Sequence, residues 1–177
     1  MKRRQRFGFN LVFLTDNYLR ILWKICFQLQ SKLEIFLYLT EMGADINMRE
    51  KDNHTVFYNA AQSGNVDIIK LLLGKGMSVN SPNTHGYTPL HLSAQFGHLD
   101  ATKILVEEGA NINSTTIFGV TPLMSAALSG ASEIFLYLTE RGADIYIRDV
   151  DDITAFHLTV VSGSVDIIKL LLEKGFL

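Results

Sequence analysis

The sequence predicts an all-α solenoid in which short helix–turn–helix units, joined by hairpin-like loops, stack one upon another. Three observations carry that expectation. Thr55, Thr88, Thr121 and Thr154 recur every 33 residues, and Gly64, Gly97, Gly130 and Gly163 recur at the same spacing. A second glycine ladder runs through Gly43, Gly76, Gly109, Gly142 and Gly175. Shifting the sequence by 99 residues pairs EIFLYLTEMGADI from Glu34 with EIFLYLTERGADI from Glu133, and VDIIKLLL from Val66 with the same eight letters from Val165, as though a block of three periods had been duplicated.

Each part of one period has a local cause, clearest from Thr88 onward. The Thr88 hydroxyl can cap a helix, and Pro89 fits the first helical position, where a missing N–H costs nothing. Leu90, Leu92 and Ala94 enter a short helix that Gly97 ends, because the residue just past a helix end often takes positive φ, which glycine adopts without Cβ strain. A second helix follows. Asp100 in its first turn faces the positive helix end, as Asp67, Glu133 and Asp166 do in the other periods, and Ile104, Leu105 and Val106 supply its apolar side. Gly109 stops it. Asn111 to Gly119 is polar and without helical periodicity, which predicts an extended, hairpin-like connection to the next Thr-Pro. Units of this kind bury their apolar faces only against neighbours, so an elongated array is expected.

The stretch TPLHLSAQFGHLDATKILVEEGANIN, Thr88 to Asn113, and its weaker copies resemble the ankyrin repeat family. The resemblance covers about residues 33 to 177 and implies an ankyrin-repeat solenoid. Its units are a degenerate repeat over 17–49, repeats over 50–82, 83–115 and 116–148, and a truncated repeat over 149–177, after a basic and apolar tail over 1–16. Val56 and Ala155 depart from the pattern where Pro is expected, and Tyr58 and Met124 where His91 and His157 occur. Leu22 to Ile25 fall where TPLH belongs. Leu19, Leu22, Trp23, Cys26 and Leu29 nevertheless keep an apolar face at helical spacing, which predicts an irregular N-terminal cap helix. The sequence stops at Leu177 without a polar closing repeat, which suggests a fragment or an atypical product.

Composition narrows the function classes. With 47% apolar and 19% charged residues the chain has enough to bury, and a net charge of −2, mixed along its length, gives no global field for nucleic acid or anionic lipid. The basic start, Lys2 to Arg6, followed by Phe7 to Leu14, imitates a signal peptide poorly: Asn10 interrupts the run, Asp16 closes it, and no small-residue cleavage site follows. Tyr18 to Leu29 contains Arg20 and Lys24 and falls short of the roughly 20 apolar residues that span a bilayer. The single cysteine, Cys26, fits a reducing compartment, so a cytoplasmic location is expected, with the nucleus as the alternative.

No constellation for chemistry emerges, so neither a cofactor nor a catalytic residue is expected. His54, His85, His91, His98 and His157 lack the close spacing of a zinc site. The resemblance makes His91 and His157 structural, hydrogen-bonding near the turn. Cys26 lies in an apolar helical pattern, where an inert buried thiol is the default. Gly74-Lys75-Gly76 lacks the spacing and following hydroxyl of a phosphate loop and matches the helix-ending glycines. Asn53-His54-Thr55 and Asn113-Ser114-Thr115 satisfy the glycosylation sequon, which matters only in a secreted chain.

The resemblance implies a non-catalytic protein–protein interaction module that recognises a protein partner, and neither nucleic acid nor membrane, through hairpin tips and the concave helix face. Mapped onto this sequence, those places are Lys51, Asp52 and His54; Thr84, His85 and Tyr87; Ile117, Phe118 and Val120; Val150, Asp151 and Ile153; with Gln95, Phe96 and Leu128 at the helices. Apolar side chains at tips that could have been polar, above all Tyr87, Phe118 and Val120, are the sharpest signal, since aromatic anchors carry about 2 kcal/mol or more in interfaces. The alternative is packing between neighbouring hairpins. A second reading makes the chain part of a larger ankyrin-repeat protein, such as a channel, toxin or enzyme-recruiting adapter, with its activity elsewhere. A third makes it a spacer.

Overall fold

The computed structural model describes residues 33–42, 44–49 and 51–175. The expected cap helix over Leu19 to Leu29, the basic tail and Cys26 lie outside the described residues. The chain divides into two compact units, 1–46 and 47–177. In the first, α1 (Leu33–Glu41) buries Phe36 and Leu39, one turn apart on the same helix face.

The second unit repeats one motif four times. Its helices are α2 (Val56–Gln62) and α3 (Val66–Gly74), α4 (Pro89–Gln95) and α5 (Leu99–Glu107), α6 (Pro122–Ser129) and α7 (Ser132–Glu140), and α8 (Ala155–Val161) and α9 (Val165–Glu173). Each Thr of the ladder stands at the N-cap of a first helix in extended conformation, as its residue type requires. The Thr55 and Thr121 hydroxyls accept the N–H of Tyr58 (3.3 Å) and Met124 (3.2 Å). Gly64, Gly97, Gly130 and Gly163 all take positive φ, between 67 and 75°. At Gly64 a second reason for glycine appears that spacing alone does not reveal. A Cβ there would lie 2.5 Å from the ring of His98, which reaches across from the next repeat to the Gln62 carbonyl at 2.9 Å.

Packing follows the order of the sequence: α2 on α4, α4 on α6 and α6 on α8, with the second helices α3, α5, α7 and α9 stacked in the same order. Equivalent positions therefore become rungs of one core. Leu72, Leu105, Leu138 and Leu171 are buried in all four repeats, and Phe57, Leu90 and Leu123 close the first-helix side. Burying a side chain of this size is worth about 1.5–3 kcal/mol. Among the described residues no β-sheet forms; the hairpins contribute a single antiparallel bridge, Arg49 to Thr55. Both glycosylation sequons are structural turns. Asn53 accepts from Arg49 and donates to the Pro82 carbonyl, and Asn113 accepts from the Asp144 N–H and donates to the Gly142 carbonyl.

Candidate recognition surface

The hairpins are built from the base upward. Asn83, Thr116 and Asp149 occupy one position in three successive repeats, and each aims a side-chain oxygen into its own turn. Asn83 Oδ1 accepts the N–H of His85 (3.0 Å) and Tyr87 (2.9 Å). Thr116 Oγ1 accepts those of Phe118 and Val120 (3.2 and 3.1 Å), and Asp149 Oδ1 those of Asp151 and Ile153 (3.0 and 2.8 Å). The backbone closes the same loop through Asn83 N–H to Tyr87, Thr116 N–H to Val120 and Asp149 N–H to Ile153, each at 2.9–3.0 Å. Sequence reasoning missed these three residues. The signal was present, because Asn, Thr and Asp are turn-forming types recurring 33 residues apart.

Successive tips are also tied to each other. The N–H of Thr84, Ile117 and Val150 donates to the carbonyl of Asp52, His85 and Phe118 in the preceding repeat, at 3.0, 3.0 and 2.9 Å. Such close approach leaves no room for a Cβ at the third tip position of the second and third repeats, Gly86 and Gly119, whereas Asn53 and Asp152 carry side chains there in the first and fourth. A Cβ on Gly119, whose φ is 80°, would stand 2.7 Å from the Asp149 Cα. Backbone N–H groups at the tips are thus spent on the scaffold, Thr84 adds its hydroxyl to the Asp52 carbonyl, and the apex side chains are exposed.

The proposed binding residues fall into three rows. Asp52, His85, Phe118 and Asp151 share the turn apex beside Thr84, Ile117 and Val150, and all of these are exposed. Ile117 is 61% exposed, Phe118 48% and Val150 68%. Lys51 begins the 3₁₀ turn Lys51–Asn53 of the first tip. His54, Tyr87, Val120 and Ile153 form a second row just before each capping Thr, and there the side chains are half-buried. His54 stacks on Tyr58 with centroids 4.0 Å apart, and Tyr87 meets His91 edge-on. Tyr87 and Val120 therefore do not share the apex with Phe118. Gln95, Phe96 and Leu128, at the ends of α4 and α6, make the third row and are exposed.

One histidine shows how the surface is held. His91 is buried, its Nδ1 accepts the Thr88 N–H (3.1 Å), and its Nε2 therefore carries the proton and donates to the Val120 carbonyl in the next repeat (3.0 Å). Burial lowers its pKa from 6.5 to about 4, against the raising effect of the Val120 and Ser114 backbone, so it is neutral at pH 7. Burial likewise raises the pKa of Tyr58. No cluster of His, Cys, Asp or Glu among the described residues could hold a metal ion, and no described helix is long and apolar enough to cross a membrane.

Two models of known families match the chain. Ankyrin repeats in three copies match residues 23–116, and ankyrin repeats in many copies match residues 105–158. The first match begins ten residues ahead of the clear sequence motif at 33, inside the degenerate stretch. No curated protein matches the chain. From the repeat spacing, the stacked helix pairs and both matches, the chain belongs to the ankyrin repeat family, whose repeats generally serve as protein–protein interaction modules and are typically non-catalytic.

Proposed function

We propose that this chain binds a protein partner through the hairpin apex and the ends of the first helices, with the apolar weight on its third and fourth repeats. One observation carries the reading: Ile117, Phe118 and Val150 hold large, largely exposed apolar side chains on turns whose backbone N–H groups are engaged within the turn or with the preceding tip. A large apolar side chain left about half or more in solvent is available to an interface. The character of the surface changes along the array. Asp52, Thr84 and His85 are polar apex residues in the first two repeats, and Gln62 and Gln95 are polar at the helix ends. Ile117, Phe118, Val150, Leu128 and Val161 are apolar at the matching places of the last two repeats and all are exposed, with Asp151 the polar exception there and Phe96 the apolar one in the second repeat. A partner suited to this face offers polar groups to the first half and an aliphatic or aromatic patch to the second.

Site-specific crosslinking tests it. A photoreactive residue in place of Phe118 should label a discrete partner in cells, whereas the same group at Lys70, on the exposed side of α3, should not. Equal labelling from both positions would remove the apex from the recognition surface.

A further inference from the structure

Apolar side chains at the ends of the first helices stand beside a row of unpaired acids. Phe96, Leu128 and Val161 are exposed there, each four or five residues ahead of its repeat's Asp100, Glu133 or Asp166. The exposure belongs to the position and not to the end of the array, because Gln62 and Gln95 are exposed at the same place in the earlier repeats. Charge on this side is of one sign. From each capping Thr into the first turn of the second helix, over 55–68, 88–102, 121–135 and 154–168, every repeat has one carboxylate and neither Lys nor Arg. Asp67, Asp100, Glu133 and Asp166 are all exposed, and none has an ion pair among the described residues. An acid in a first helical turn suits the positive helix end, which accounts for each carboxylate singly but not for a face without cations. The basic residues of 47–177 lie at the hairpins or beyond the first turn of the second helices, as Lys70, Lys103 and Lys169 do. Glu133 stands most alone, since Leu136 takes the place that those lysines hold in the other repeats.

We infer that the protein partner presents a cationic amphipathic helix to this face, running along the array with a Lys or Arg about every seventh residue. This rests on the proposed binding of a protein partner and adds the chemistry of its contact. The period follows from the stacking. α3, α5, α7 and α9 pack in sequence, packed helices lie roughly 8–10 Å apart, and seven residues of helix advance about 10.5 Å. One cation per seven residues therefore meets one carboxylate per repeat, and about 22 residues span all four. Apolar residues between the cations cover Phe96, Leu128 and Val161. Nucleic acid and anionic lipid are repelled by the same charges. Two copies of this face also repel each other, since both carry the acids. The basic run of this chain, Lys2 to Arg6, crowds its cations together and does not match the period.

The test uses the whole chain with two synthetic helical peptides of about 22 residues. Both carry Leu three and four residues after each seventh position, and that position holds Lys in one peptide and Glu in the other. At low salt the lysine peptide should bind at least about tenfold more tightly than the glutamate peptide and shift the amides in the first turns of α3, α5, α7 and α9, and added salt should remove most of the difference. The double variant Gln62→Lys, Gln95→Lys places cations at the C-terminal ends of α2 and α4, where they suit the helix dipole and leave the fold intact. It should weaken both the lysine peptide and the partner crosslinked from Phe118 by about threefold or more at low salt. A photoreactive residue at Leu128 should label a segment of that partner with Lys or Arg at the seven-residue period. Equal affinity for the two peptides, or amide shifts confined to the Lys70 and Lys103 side, overturns the inference. So does a Phe118-crosslinked partner whose affinity the double variant leaves unchanged, and in that case the proposed partner binding still stands. Absence of any partner labelled from Phe118 removes both. A Leu128 crosslink into the same chain assigns the face to one of the chain's own segments, and one between copies assigns it to self-association; either overturns the inference.

Discussion

His91 joins two repeats with one ring, and its environment fixes both its tautomer and its charge. Because its folded-state pKa, about 4, lies below the 6.5 of the unfolded chain, the unfolded state binds the extra proton first as pH falls. Stability from this residue is fully present above about pH 6.5 and is lost on descending toward pH 4, by roughly 3 kcal/mol in all. His91→Met should flatten that part of the pH profile in denaturant melts between pH 7 and 4. Methionine is the apt replacement, since Met124 occupies the same rung and its Sδ lies 3.4 Å from the Thr121 nitrogen. A wild-type profile retained in the variant would place the titration elsewhere. Gly119 is the second residue whose identity is dictated, by positive φ and by the neighbouring tip. Gly119→Ala should cost about 1–3 kcal/mol in the same melts, whereas Gly97→Ala, with open space around its Cβ, should cost less.

Elements are tied across repeats by a rung of asparagines. Asn80 donates to the Gly109 carbonyl (3.2 Å) and accepts from the Asn111 N–H (2.7 Å), and Asn113 repeats both bonds one unit later. Tyr146 stands at the next rung and is 67% exposed, so the last unit is held by fewer cross-repeat bonds. Tyr146→Asn should add a bond to the Gly175 carbonyl and slow amide exchange in α9, by about 0.5–1.5 kcal/mol in opening free energy. Unchanged exchange would mean that the rung contributes nothing at this end. The helices themselves were legible in the sequence, because Thr, Pro and Gly at fixed spacing have local consequences that survive without tertiary knowledge. The tip ladder was not legible, since which carbonyl faces Ile117 or Val150 depends on how closely neighbouring hairpins stack. The apolar row was only half legible for the same reason: Tyr87 and Val120 precede a capping Thr and are half-buried, while Phe118, two residues before Val120, stays exposed at the apex. Residue type alone could not separate them.

Across residues 47–177 the repeats differ in how much of their surface is covered. The central pairs α4–α5 and α6–α7 are flanked on both sides and the last pair on one, so native-state exchange should be slowest around α4–α6 and fastest in α9. Slowest exchange in α9 would reject that stacking order. On the proposed reading the same architecture separates recognition from folding, the core rungs holding the array together and the exposed apex side chains meeting the partner. The triple variant Ile117→Ser, Phe118→Ser and Val150→Ser tests this separation most directly, with partner affinity and thermal melting measured on the same preparation. The account predicts at least about a hundredfold loss of affinity for the partner crosslinked from Phe118, equivalent to about 2.7 kcal/mol, with a melting temperature within two or so degrees of the parent, as roughly expected for exposed sites. Undiminished affinity, or a melt lowered by about ten degrees, would contradict it.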